Sequence, residues 1–128
     1  MNNNIKIGLI NKKDKRVNKE DSATAFGSGL VEVFATPAMI AFMEHTAMLC
    51  VSDLLPQGFT TVGTHVNVTH SKATPIGMMV YCEVKIMEFD GRKLVFEVIA
   101  SDEEGEIGSG THTRFIIDKN KFMQKLQK

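Results

Sequence analysis

The sequence predicts an α+β domain in which one long apolar helix precedes an antiparallel meander of long strands. Three observations point there. An apolar stretch opens at Thr36-Pro37 and runs to Leu55. Downstream of Pro56, apolar residues recur at every second position, the period of a strand. Asp90-Gly91 then joins two of these alternating runs directly, as a two-residue hairpin turn does. A chain of 128 residues suits one domain spanning 1–128, and at that size roughly two thirds of the extended surface is buried on folding. The core therefore needs neither disulfides nor a metal.

Residues 1–29 read as a lead-in. Residues 5–10 suit a short edge strand, 12–21 are a charge run expected to face solvent, and 23–29, with Gly27 and Gly29 around Ser28, suit a flexible loop. Residues 30–35 form a short β-prone run. At Thr36-Pro37 the helix begins, with Thr36 placed to cap it and Pro37 costing no hydrogen bond at the first turn. Met39, Phe42, Met43, Thr46, Cys50 and Leu54 form one stripe. Ile40, Ala41, Ala47, Met48, Leu49 and Val51 fill most of the rest, so the helix calls for cover nearly all round, from a curled sheet or another subunit.

Four strands follow. Residues 61–70 put Val62, Thr64, Val66, Val68 and His70 on one side. Residues 78–87 alternate Val80, Cys82, Val84 and Ile86 against Met79, Tyr81, Glu83 and Lys85, and 92–101 put Leu94, Phe96, Val98 and Ala100 on one face. After a turn at 102–105, residues 106–117 carry Gly108 and Gly110 inside the strand, where a bulge or a close neighbour is expected. The basic tail 118–128 is expected to fray. One helix cannot cover both faces of such a sheet, which argues for an oligomer.

Charge and cysteine content narrow the function. Fifteen basic side chains face fifteen acidic ones, so neither a nucleic-acid footprint nor a polybasic membrane patch is expected. Cys50 and Cys82 read as small hydrophobes in a reducing compartment. No signal-peptide core follows the polar N-terminus, and the most apolar window, 37–55, is broken by Glu44, His45, Ser52 and Asp53. A cytoplasmic protein is the expectation.

Several side chains could carry chemistry. Glu44 has Ile40, Ala41, Ala47 and Met48 as helical neighbours, so its carboxylate either reaches water past the alanines or is buried and partnered, as a general base would be. His70 ends a strand on the apolar side, as a core histidine or a proton shuttle. Thr36 is explained by capping, or is a nucleophile if a base activates it. Gly63 is a bulge, or leaves a backbone N–H bare for a ligand oxygen. Arg114 is an exposed sheet residue, or pairs with Glu44 or a ligand phosphate. His45, His65 and His112 lack metal-ligand spacing, so no metal site is expected, and no phosphate-binding or nucleophile-elbow motif is present.

The segments V-F-A-T-P (33–37), Glu44, T-V-G-T-H-V-N-V-T-H (61–70), A-T-P-I-G (73–77) and G-T-H-T-R-F (110–115) resemble those of the hotdog-fold thioesterases of the fluoroacetyl-CoA thioesterase type, over about residues 30–117. The resemblance implies an antiparallel sheet curved round a central helix and a homodimer. It implies an acyl-CoA substrate, with CoA as part of that substrate and no separate cofactor. It carries catalytic roles onto Thr36, Glu44 and His70, a carbonyl-binding backbone N–H onto Gly63, and an arginine beside the glutamate onto Arg114. Such enzymes place phenylalanines in a lid before the helix. Here the matching stretch, 25–30, is glycine-rich with Phe26 out of register, which implies a different acyl preference rather than fluoroacetyl specificity.

The activity so implied is hydrolysis of a short or small acyl-CoA thioester. The alternative is a hotdog module that binds acyl-CoA without turnover, distinguished by binding in the absence of CoA release. A hydratase of the same fold wants a histidine–carboxylate pairing not evident here, and a purely structural role leaves Glu44 without a reason.

Overall fold

A computed structural model describes residues 4–127; residues 1–3 and 128, the outer ends of the lead-in and tail, lie outside it. The chain runs β1 (Ile10–Arg16), a 3-10 turn (Lys19–Asp21), α1 (Ala23–Phe26), α2 (Thr36–Ser52), β2 (Phe59–His70), β3 (Met79–Phe89), β4 (Lys93–Asp102), β5 (Gly105–Asp118) and α3 (Lys119–Leu126). The strands form one antiparallel sheet in the order β1-β3-β4-β5-β2, with α2 packed on its concave face. This is the hotdog arrangement.

The core follows from the strand alternation. Val80, Cys82, Val84 and Ile86 of β3 and Leu94, Phe96, Val98 and Ala100 of β4 are all buried under α2, which supplies Met39, Phe42, Met43, Ala47 and Val51. Gly108 lets the two layers meet: a Cβ there would lie 2.7 Å from the Met39 sulfur and 2.6 Å from the Thr69 carbonyl oxygen. The close neighbour expected at the strand glycines is therefore the helix itself, together with β2.

In one chain α2 is covered on the sheet side only. Ala41 and His45 are exposed, and Ile40, Glu44 and Met48 are half-buried. Strand β2 is an edge, and its residues 63–67 are all exposed. An apolar helix face and a long open strand edge thus lie on the same side of the molecule.

The structure corrects several local expectations. The edge strand is Ile10–Arg16, inside the charge run and not at residues 5–10. Lys12, Lys13, Asp14 and Arg16 still face solvent, because charged residues suit an edge strand that must not recruit a neighbour. Residues 23–26 form a helical turn, held by Ser22 as its cap and closed by Gly27 at φ 69°, where only glycine is relaxed. Residues 30–35 make only isolated bridges, Ser22 to Phe34 and Val33 to Pro75. Helix α2 stops at Ser52, three residues before Leu55. The tail expected to fray forms α3, whose first turn is capped by the Asp118 carboxylate accepting from the Lys121 N–H.

One correction bears on the site. The pairing of β2 with β5 shifts between Gly63 and His65, a bulge that breaks the period of two. Residues paired with the inward positions of β5 are Thr61, Gly63, Val66, Val68 and His70, so Val62 and Thr64 do not share the face of His70.

Candidate active site

Thr36 and His70 are brought together at the N-terminal end of α2. Ala35, not Thr36, is the cap residue of the helix, so the Thr36 hydroxyl is not used as a cap. It lies 2.7 Å from His70 Nδ1 instead. With the hydroxyl as donor, the neutral imidazole carries its ring proton on Nε2. That nitrogen is buried and makes no well-formed hydrogen bond among the described residues. Burial pushes the His70 imidazole below its ordinary 6.5, and the nearby Lys72 backbone offsets part of that. A hydroxyl and a base are thus in proton-transfer reach, with the base poised to be neutral near pH 7.

The pair opens into a cleft of about 280 Å³, bordered by Ala23, Ser28, Phe34, Ser71, Lys72 and Ala73 among others. The lead-in therefore does reach the cleft, through Ala23 and Ser28. Phe26 does not line it and is 48% exposed, and Leu30 is 96% exposed. A larger concavity, about 660 Å³, lies over β1, β3 and β4 and touches none of the candidate residues.

Glu44, Gly63 and Arg114 form a second cluster. A Cβ at Gly63 would sit 2.9 Å from Glu44 Oε2, 3.0 Å from His112 Cε1 and 3.3 Å from an Arg114 terminal nitrogen. The three side chains thus converge on the bare Cα of Gly63. Arg114 is buried, and its guanidinium donates to the Thr61 hydroxyl at 2.7 Å and the Thr61 carbonyl at 2.8 Å. A further N–H donates to His112 Nε2 at 3.2 Å, and His112 Nδ1 in turn donates to the His65 carbonyl at 2.9 Å. An ion pair with Glu44, one of the alternatives for Arg114, does not form within 4.0 Å; the guanidinium faces the carboxylate across the space at Gly63. Burial lowers the Arg114 pKa from its ordinary value, with the Glu44 charge opposing it. Burial likewise lowers that of His112, so this histidine is a neutral acceptor for Arg114.

These two clusters do not meet in one chain. The eight residues from Thr36 to Glu44 rise about 12 Å along α2, and the seven from Gly63 to His70 span roughly 20 Å of β2. His112 and Thr61 went unrecognised as site residues. The available signal was that His112 stands two before Arg114 in one strand and so shares its face. No group of metal-ligating side chains occurs among the described residues. Burial pushes both thiols, Cys50 and Cys82, up to about 11, which leaves them inert at neutral pH.

A five-stranded antiparallel sheet curved round one helix, with a hydroxyl–imidazole pair where that helix begins, defines the class: hotdog-fold thioesterases. Comparison with known proteins narrows it. The family model described as fluoroacetyl-CoA-specific thioesterase, FlK, matches residues 17–120. The fluoroacetyl-CoA thioesterase of Streptantibioticus cattleyicolor is 40% identical over 96 residues, 75% of this chain and 69% of that protein. A solved structure of the fluoroacetyl-CoA thioesterase FlK superposes with a TM-score of 0.90 at 32% identity, covering 96% of each chain. A Thermus thermophilus protein described as a thioesterase superfamily member superposes at 0.87 with 25% identity, over 96% of this chain and 91% of that one. The chain belongs to the FlK family of thioesterases, and it is an acyl-CoA thioester hydrolase.

Proposed function

We propose that the protein hydrolyses a short-chain acyl-CoA at a site shared between two subunits of a homodimer. The observation that carries this reading is the Thr36 Oγ1–His70 Nδ1 contact of 2.7 Å beside a cleft of about 280 Å³, which suits a small acyl group. His70 takes the hydroxyl proton as Thr36 Oγ attacks the thioester carbonyl carbon. The tetrahedral oxyanion lies near the positive end of α2. His70 then returns the proton to the departing CoA sulfur, and water hydrolyses the acyl-threonine to the free acid.

The second cluster supplies the water chemistry, from the other copy. The open β2 edge and the half-exposed apolar face of α2 support a two-fold dimer in which the two β2 strands pair antiparallel. A pairing that brings the partner's Gly63 opposite Thr69, next to His70, requires the two-fold axis near Val66, within the exposed stretch 63–67. The partner's Gly63 N–H then serves as a carbonyl donor, and the partner's Glu44 orients and deprotonates the water. Arg114 and His112 hold that carboxylate's surroundings. Nucleic acid has no part in this reading, given the balanced charge.

The acyl preference departs from fluoroacetyl-CoA, supported by the absence of Phe26 from the cleft lining. No helix among the described residues is long and apolar enough to cross a membrane. The two free thiols support a reducing, cytoplasmic location. The test is release of free CoA from short, branched, aromatic and fluorinated acyl-CoAs. Short acyl-CoAs should turn over, and Thr36→Ala and His70→Ala should each lower kcat at least about tenfold in folded protein. Unchanged rates in both variants overturn the reaction assignment; binding without turnover favours a carrier module.

A further inference from the structure

The Thr36–His70 pair is held from behind by a side chain that the reaction does not use. Asp102, at the end of β4, has a fully buried carboxylate. Its Oδ2 accepts from Lys72 Nζ at 2.8 Å and from the Thr74 hydroxyl at 2.8 Å. Its Oδ1 accepts from the Glu104 N–H at 2.8 Å. Glu104 also stands 3.5 Å from the Lys72 ammonium.

Each of the two long-range partners leads to one half of the pair. Lys72 is two residues beyond His70, in a segment fixed to β5 by its own N–H on the Ile107 carbonyl at 3.3 Å. The intervening Ser71 is pinned to the Ile107 carbonyl by its N–H at 2.8 Å and its hydroxyl at 3.2 Å. Thr74 is completely buried, and its carbonyl accepts from the Phe34 N–H at 2.8 Å, two residues before Thr36. The Val33–Pro75 bridge runs alongside. One carboxylate thus anchors both segments whose ends must stay within hydrogen-bond reach.

We propose that Asp102 is the positioning residue of the active site, setting the Thr36–His70 separation through a Lys72 arm and a Thr74 arm. The proposal rests on the reading of Thr36 and His70 as the reacting pair. Asp102 touches neither substrate nor the reacting atoms and acts only through its two arms. Burial alone would raise the Asp102 pKa, but the hydrogen bonds from Lys72, Glu104 and Thr74 and the Lys72 charge hold it below its ordinary value. The anchor is therefore charged throughout the neutral range.

Asp102→Asn keeps the shape and removes the charge. In folded protein, kcat should fall at least about tenfold with KM within about threefold, since misalignment of a reacting pair costs the transition state more than binding. The ¹⁵N signals of the His70 ring in the substrate-free protein should move, reporting a changed tautomer balance or imidazole pKa. Thr74→Val and Lys72→Met break one arm each and serve if Asp102→Asn does not fold; each should shift the same signals.

If the loss in Asp102→Asn merely tracks the folded fraction, with kcat per folded molecule and His70 signals as in the wild type, the proposal is overturned. Thr36→Ala and His70→Ala, assayed in parallel, separate the two claims. Should they turn over normally while Asp102→Asn still displaces the His70 signals, the reaction assignment fails and the positioning stands.

Discussion

Gly63 and His70 carry the sharpest expectations at the level of single residues. A methyl group at Gly63 would intrude between Glu44, His112 and Arg114, with Glu44 Oε2 only 2.9 Å away. Gly63→Ala should therefore lower kcat at least about tenfold, because the carboxylate must move and small displacements are costly in a reacting site. Steady-state kinetics with thermal melts check this, and an unchanged kcat removes the cluster from the reaction. To accept the Thr36 proton the imidazole must be neutral, and burial lowers its pKa from 6.5. The rate should climb with pH through an inflection below 6.5 and level off above it. A profile still rising well above pH 7 would assign the base elsewhere.

Gly108 marks where the elements press together. Gly108→Ala should drive the Met39 sulfur and the β2 backbone apart and destabilise the fold by about 1–3 kcal/mol. Urea unfolding measures it; a loss below about 0.5 kcal/mol would mean that the helix is less tightly seated than its contacts imply. This packing also explains what could be read from the residues alone. The helix was legible from its long apolar run, and β3 and β4 because their alternation holds over 80–86 and 94–100, the register shifting only after Ile86 and Ala100. Strand β2 was misread between Val62 and Thr64 because a bulge carries no sequence mark beyond a glycine that has other uses. Strand β1 was hidden in a charge run, since an edge strand needs few apolar residues. Thr36, Glu44, His70, Gly63 and Arg114 were found as chemically odd residues in a recognisable pattern. Their division into two clusters was missed, although the rise of a helix already sets Thr36 about 12 Å from Glu44. Asp102 looked like an ordinary turn aspartate.

For the whole molecule, the lowered pKa values of His70 and His112 link stability to pH. Below 6.5 the unfolded chain binds protons that the folded chain resists. This contribution is therefore complete above 6.5 and is lost as pH falls through the folded values. The melting temperature should decline on acidification from pH 7, and His112→Gln should flatten part of that decline. A constant melting temperature over the window would contradict the burial of both rings. Light scattering should find a particle of two chains, since a lone chain leaves the β2 edge and one face of α2 uncovered.

Subunit mixing tests the shared site most directly. Thr36→Ala and Glu44→Gln chains, each inactive alone, are unfolded together at equal concentration and refolded. A site built across the two-fold regains one intact Thr36–His70–Glu44 set in every mixed dimer. Random pairing then restores roughly a quarter of wild-type CoA release. Recovery no greater than that of the separate variants, with mixed dimers verified by mass, would contradict an acid residue lent by the second copy.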